Sequence, residues 1–290
     1  MDRLLIIDGH AYAYRAFYAI RELRSSAGKP TNAIYGFVKM VEKMRATVAP
    51  THLMVVWDGG LSVERMAVLP EYKAHRPEMP DDLRQQLDEI VAYLDAAGVA
   101  SYRSPGIEAD DYIACLACQA ADAGMNVVIA SSDKDFMQLV SAQVGLLNPN
   151  DKTEAVWTDE QVRAKTGIEP SQVVDWLSLM GDSVDNIRGV PGVGTKTAAD
   201  LLKQFGSIEE LYRRLDDVKS DKLRGALRES EGIVRRNREL VRLHQVACEF
   251  LAGHLRPKQA NEARLRELFA RWGFKRMLAE LSPEKQAVLI

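Results

Sequence analysis

The residues best suited to chemistry in this 290-residue chain are acidic, and they recur at one kind of position. Asp8 follows the apolar run Leu4–Ile7, Asp58 follows Leu53–Trp57, and Asp133 and Asp135 follow Val127–Ala130. Glu108, Asp110 and Asp111 open a helical pattern, and Asp182 and Asp185 stand one helical turn apart in Gly181–Leu202. A single Asp after a strand is more often a turn or helix cap than a ligand. Capping does not explain why nearly every strand end carries an acid. Ligands of open α/β sheets bind in the crevice beyond the carboxyl ends of the strands. Four segments thus deliver carboxylates to one rim, and the last pair joins from a helical region. So many carboxylates repel each other unless cations neutralise them. Oxygen ligands in excess suit Mg²⁺ or Mn²⁺ rather than zinc. No Ser–His or Cys–His arrangement accompanies them, so the chemistry indicated is metal-dependent phosphoryl transfer.

The segment that carries Asp182 and Asp185 also offers a phosphate grip. Pro191-Gly192-Val193-Gly194 predicts a tight turn, and Thr195–Leu202 a helix behind it. Backbone N–H groups at such a helix start form an anion site. With Lys196 and Thr197, the pattern PGVGxKTAxxLL is that of a helix–hairpin–helix, which holds a phosphate chain through its backbone without reading sequence. A K⁺ ion bridging hairpin carbonyls and a phosphate is compatible with it. The alternative is an ordinary glycine-rich turn. Lys219, Lys222, Arg224, Arg228, Arg235, Arg236, Arg238 and Arg242 form mainly a solvated helix face, with a minority tracking a duplex backbone.

Short apolar runs alternate with helical patterns over the first half of the chain. Strands are expected at Leu4–Ile7, Leu53–Trp57, Val99–Tyr102, Val127–Ala130, Val144–Leu147 and Ala155–Trp157. Helices are expected at His10–Ile20, Asn32–Thr47, Asp81–Ala97 and Glu108–Ala123, the third with Leu83, Leu87, Ile90, Val91 and Leu94 in helical period. This alternation predicts an α/β fold with a mostly parallel central sheet flanked by helices. From Thr158 onward the chain reads as almost entirely helical, ending in a long helical stretch from Asp221 to Leu251. The expected organisation is therefore an α/β core over 1–157 and a helical region over 158–290 packed on it, with the hairpin at about 181–205. Leu61–Pro80 stands apart as polar, partly basic and poor in core positions, a long excursion from the sheet. In it Lys73 and Arg76 lie one turn apart if helical, and Tyr72 either stacks on a base or anchors the segment by packing.

Composition sets broad bounds. The net charge of −3 looks wrong for a nucleic-acid binder, but without the nine candidate ligands the remainder carries +6. The three cysteines, Cys115, Cys118 and Cys248, do not suit a disulfide framework. Cys115 and Cys118 form a CxxC inside an apolar helical pattern with no second Cys/His pair near it, so a buried structural pair is expected. No apolar run of about 18 residues is present, so no membrane-spanning helix is expected. The first residues lead straight into a strand pattern with no secretory features, and a cytoplasmic protein is expected.

The motifs together resemble the 5′-nuclease domain of bacterial DNA polymerase I, within the flap endonuclease family. They are LLIIDGHAYAYRAFYA, TNAIYGF, VVWDGG, EYKAHRPEMP, GIEADDYIA, SSDKDFMQLV and GDSVDNIRGVPGVGTKTAADLL, in family order over nearly the whole chain. The resemblance implies a PIN-like nuclease core, an arch or gateway at about 61–80, and a helix–three-turn–helix DNA-binding region. It implies metal-dependent hydrolysis at DNA 5′ ends and 5′-flap junctions, giving 5′-phosphate and 3′-hydroxyl, in replication and repair. Two or three Mg²⁺ or Mn²⁺ ions follow from it. Asp8, Asp58, Glu108 and Asp110 match positions around the first, and Asp111, Asp133, Asp135, Asp182 and Asp185 those nearer the second. Lys73 and Arg76 match positions that meet the scissile phosphate, and Arg15 a DNA-contacting position in the first helix. Gly192, Val193, Gly194, Lys196 and Thr197 would grip DNA, RNA-primed strands included. The implied protein is a monomer with a separate or fused polymerase as partner, and no membrane is involved. Two other readings stay open: a non-catalytic junction-binding protein, against which the intact acids argue, and a hydrolase of small phosphates, which leaves the hairpin unused.

Overall fold

A computed structural model describes residues 2–151, 153 and 155–281. Residues 282–290, the end of the expected helical region, lie outside the described part. Six strands form one mixed sheet in the order β3-β2-β1-β4-β5-β6. They are β1 (Arg3–Asp8), β2 (His52–Val56), β3 (Ala100–Tyr102), β4 (Asn126–Ala130), β5 (Val144–Leu147) and β6 (Val156–Trp157). The first five are parallel, and β6 runs antiparallel to β5 at the edge. Parallel strands buried on both faces must be continuously apolar. Leu4, Leu5, Ile6 and Ile7 of the central β1 are accordingly all at 0% exposure.

The pleat sends alternate residues to two cores. Leu5, Ile7, Leu53 and Val55 meet α1 (Gly9–Ala19), α2 (Asn32–Val48) and α4 (Asp81–Ala96) on one face. Leu4, Ile6, Val127 and Ile129 meet α5 (Ala109–Asp122) on the other. That second core continues into α6 (Asp159–Thr166), α7 (Val173–Met180), α8 (Thr195–Phe205) and α9 (Ile208–Arg213). It runs on through α10 (Asp221–Glu229) and α11 (Glu231–Val241). Between α7 and α8 stand two short strands, β7 (Gly181–Asp182) and β8 (Ile187–Arg188). Gly181 and Gly189 cross there so closely that a Cβ on Gly181 would lie 2.3 Å from the Gly189 nitrogen.

Four expectations need correction. The stretch Asp221–Leu251 is not one helix. It breaks at Ser230, and after Val241 the chain runs extended as a strap along α5. Side chains supply the hydrogen bonds that a helix would have made internally. The N–H of His244 reaches Asp111 (2.8 Å), that of Leu243 reaches Gln138 (3.1 Å) and that of Phe250 reaches Gln119 (3.1 Å). Beyond α12 (Ala252–Leu255), α13 (Glu262–Trp272) returns to the first core with Leu268, Phe269 and Trp272, and α14 (Lys275–Glu280) follows it.

The excursion, expected to lack core positions, buries Ser62, Arg65, Leu69, Tyr72 and Lys73. It starts with α3 (Val63–Val68), capped by Ser62, and continues in turns. Lys73 and Arg76 are joined by a turn, the Arg76 N–H reaching the Lys73 carbonyl at 3.1 Å, and not by a helix. Asp182 and Asp185 likewise sit on the β7–β8 hairpin, whose turn brings them together without helical spacing. Cys115 is buried and Cys118 half-buried, both as free thiols. Among the described residues no helix is long and apolar enough to cross a membrane.

Candidate active site

The carboxyl ends of β1, β2 and β4 open into a pocket of about 390 Å³. Asp8, Asp58, Asp110, Asp133, Asp182 and Asp185 line it, together with His10, Tyr14, Arg76 and Lys134. Local capping sets the direction of several acids. Asp8 caps α1 through the Ala11 N–H (3.0 Å), and Asp58 accepts from Gly60 (2.8 Å). Asp133 accepts from Asp135 (2.9 Å) and Asp182 from Val184 (2.9 Å). Each of these four uses one oxygen on its own turn, and the turn fixes where the other oxygen points. The second oxygen of Asp8 takes the Ser131 hydroxyl at 2.8 Å.

Asp135, Asp182 and Asp185 bring one carboxylate oxygen each within 4.8 Å of one another. Asp135 is the most telling member, because its Oδ1 is buried with no hydrogen-bond partner. An unpaired buried carboxylate oxygen is costly unless a cation meets it. Burial, reinforced by neighbouring acids, pushes the Asp8 carboxyl up to about 6. Burial and the fields of Asp133, Asp182 and Asp185 push Asp135 well above the carboxylate range. Asp110 and Asp133 move in the same direction for the same reasons. An all-oxygen, mutually repelling, partly unpaired donor set is the one that hard divalent cations fit. The three-aspartate cluster can coordinate a divalent metal.

Glu108 and Asp111 do not join the rim. Consecutive residues of a helix project about 100° apart, and here Asp110 lines the pocket while Asp111 is turned away from it. Asp110 faces the rim. Asp111 turns to Arg65, accepting at 2.6 and 2.7 Å, and also takes the His244 N–H. In this arrangement Asp111 serves as the counter-ion of Arg65 and does not line the pocket. Glu108 is 1% exposed and accepts from Arg65 (2.5 Å), Lys73 (3.1 Å) and Tyr72 (3.3 Å). Arg65 spends its remaining donors on the carbonyls of Leu240 (2.9 Å) and Arg242 (3.0 Å). All five guanidinium N–H groups are thus engaged.

The excursion forms one wall of the site. Tyr72 is buried, and its hydroxyl bonds Glu108 and Asp185, so it anchors the segment and is not placed to stack on a base. Lys73 adopts φ +56°, donates its N–H to the Asp185 carbonyl at 3.0 Å and aims its ammonium at Glu108. Burial alone would lower the Lys73 ammonium, but Asp110, Asp185 and Glu108 hold it above its ordinary value. Arg76 pairs with Asp185 at 2.6 Å, and Lys134 with Asp182 at 3.0 Å.

The other expected contacts lie elsewhere. Arg15 is exposed on α1 and bonds Asn150 at 2.5 Å. Gly192 (φ +81°), Gly194 and Lys196 are exposed ahead of and at the start of α8, and Thr197 is half-buried. Val193 turns its side chain into the core, which leaves only its backbone for a ligand. Arg65, Lys134, Ser131 and His10 were missed in the sequence. A lysine between two rim acids, Asp133-Lys134-Asp135, was the one available signal among them.

Comparison with known proteins agrees with this geometry. Residues 3–167 match the family described as 5′-3′ exonuclease, N-terminal resolvase-like domain, and residues 168–263 match 5′-3′ exonuclease, C-terminal SAM fold. A 5′-3′ exonuclease of Aquifex aeolicus is 43% identical over 213 residues, 73% of each chain. DNA polymerase I of Bacillus subtilis is 37% identical over 285 residues, 97% of this chain and 32% of that one. The chain thus spans about a third of that polymerase. Among solved structures, T5 5′-exonuclease with bound divalent metal ions (zinc) superposes with a TM-score of 0.68 at 25% identity, covering 82% of this chain and 89% of that one. With its acids gathered at the sheet rim and both of its halves matched, the chain belongs to the 5′-3′ exonuclease family.

Proposed function

We propose that the protein is a structure-selective 5′ nuclease that hydrolyses DNA at 5′ ends and 5′-flap junctions, leaving 5′-phosphate and 3′-hydroxyl. The observation that carries this reading is the Asp135–Asp182–Asp185 cluster, with its unpaired buried oxygen, at the rim of the sheet. Two or three Mg²⁺ or Mn²⁺ ions are the fitting cofactors. The cluster would hold one, and Asp8, Asp58, Asp110 and Asp133 are the donors available for the others. Bound there, such ions supply Lewis-acid stabilisation of the phosphoryl oxygens and a nucleophile at neutral pH.

The chain's own cations complete the site. Lys73 and Arg76 face the acids from the excursion and would transfer their hydrogen bonds to a phosphate, stabilising charge in the transition state. The turn Gly192–Gly194 with Lys196 and Thr197 is read as one hairpin of a helix–hairpin–helix, with K⁺ as a candidate bridge to the duplex backbone. The division of labour is an α/β core over 1–157 that supplies most of the rim acids, and a helical region that adds Asp182 and Asp185 and holds the duplex. Action on RNA-primed strands, as a monomer beside a separate or fused polymerase in the cytoplasm, fits this role.

A labelled 5′-flap substrate tests the reading. Cleavage at the junction is expected in Mg²⁺, and undiminished cleavage in excess EDTA would overturn the metal dependence. Lys73→Ala should slow cleavage about a hundredfold while duplex affinity changes little. The reverse pattern would reassign Lys73 to affinity alone.

A further inference from the structure

A second cavity adjoins the acidic pocket, and the hydrolysis described above does not use it. It is larger, about 820 Å³, and the two share His10. It runs beside β3, the edge strand of the sheet, between α4 and the chain that leads from α12 to α13. At the end nearest the rim, the His10 ring packs edge-on against Trp57 with centroids 5.5 Å apart. There Arg103 donates to the Asp58 carbonyl at 3.1 Å. His254, Arg256 and Lys258 line the far part.

The charges are sorted by wall. The acids that line the cavity, Asp88 and Asp95, both belong to α4. The cations come from the loop after β3 and from the chain around α12. Arg103, Arg256 and Lys258 are exposed, and among the described residues none of them makes an ion pair. Their printed partners are neutral: the Asp58 carbonyl for Arg103, and His52 Nε2 at 3.3 Å for Arg256. Unpaired cations spaced along one wall suit an extended phosphate chain and impose no sequence preference.

We propose that this groove receives the single-stranded 5′ tail of the substrate after it passes the cleavage rim, with its phosphates on Arg103, Arg256 and Lys258. The proposal rests on the 5′-flap reading. A strand whose scissile bond lies among the rim acids has to continue somewhere on its 5′ side. The shared His10 puts this cavity beside the rim, whereas the duplex side is assigned to the hairpin before α8.

The test is the double variant Arg256→Glu, Lys258→Glu. Both residues are exposed and neither lines the acidic pocket, so basal hydrolysis should persist. On a flap of about ten nucleotides, kcat/KM should fall roughly tenfold, and the salt dependence of binding should flatten by one to two contacts. On a substrate with a one-nucleotide tail, kcat/KM should stay within about twofold of the parent, since that tail cannot reach the far cations. A photoreactive base placed in the tail should crosslink to the chain around Arg256. Equal losses on long and short tails, no loss on either, or a crosslink elsewhere would overturn the proposal. If the parent protein cuts no tailed substrate at all, the flap reading itself fails, and that is seen before any variant is made.

Discussion

Two acidic clusters lie within a few residues of each other, and they are opposites. Around Arg65, the carboxylates of Glu108 and Asp111 meet a guanidinium with all five donors in use, every one of these residues at 2% exposure or less. Around Asp135, Asp182 and Asp185, three carboxylates converge and one buried oxygen has no partner. Both clusters are rich in acid and largely removed from solvent, the closed one more fully, so neither property by itself marks a ligand site. Satisfaction does. The closed cluster leaves nothing for a ligand to add, and the open one keeps a buried oxygen for a cation to meet.

That contrast can be broken by mutation, and the largest effect is expected at the open cluster. Asp182→Ala should lower cleavage about 10²–10³-fold, while the metal-free protein keeps its unfolding midpoint, because Lys134 is partly exposed and loses little. A midpoint that collapses would move Asp182 into the structural class. At the closed cluster the signature reverses. Arg65→Ala should cost about 3–5 kcal/mol, because it strands two buried carboxylates. Arg65→Met combined with Asp111→Leu should recover part of that in a chemical denaturation curve. No recovery would mean that the Glu108 charge, and not the Arg65–Asp111 pair, dominates the loss.

A pH series sharpens the same distinction. Asp8 rises from the ordinary 3.8 to about 6 in the folded chain, and Asp110, Asp133 and Asp135 also rise. A raised carboxyl makes the folded state bind more protons than the unfolded one, so its stabilising effect is full below 3.8 and is lost as pH climbs through about 6. In EDTA the unfolding midpoint should therefore be lower at pH 8 than at pH 5, and Mg²⁺ should close the gap. A higher midpoint at pH 8 in EDTA would break the account. The smallest effect belongs to Tyr72→Phe, which removes one hydroxyl between the two clusters. It should cost about 1 kcal/mol by thermal melting and leave a base-stacking assay unchanged.

Much of this molecule was legible from periodicity. Every expected strand of the central sheet is present, because a strand buried on both faces has to be a short apolar run and little else imitates one. The rim acids were legible through repetition at strand ends. The competing capping interpretation was also right, since Asp8, Asp58, Asp133 and Asp182 cap their own turns with one oxygen each. A carboxylate has two oxygens, and the two roles coexist. The Arg65–Asp111 pair was not legible because its members stand 46 residues apart, and local spacing carries no trace of such a pair. The strap after Val241 failed for a related reason. Its backbone is satisfied by Asp111, Gln119 and Gln138 on distant elements, and these override a sequence with good helical propensity.

The reach of Arg65 also bears on when the excursion is anchored. Its guanidinium closes on the carbonyls of Leu240 and Arg242, 175 and 177 residues further along the chain. The sheet and its first helices can assemble while synthesis continues. The basic wall cannot settle over the acids until the strap has emerged, since Arg65 lacks two acceptors before then. A nascent chain that has passed Asp185 but not Arg242 would already carry every rim acid while Arg65, at the root of the excursion, still lacks its carbonyl partners. The anchoring of the excursion is thereby deferred until Arg242 has been made, well after Asp185, the last of the rim acids.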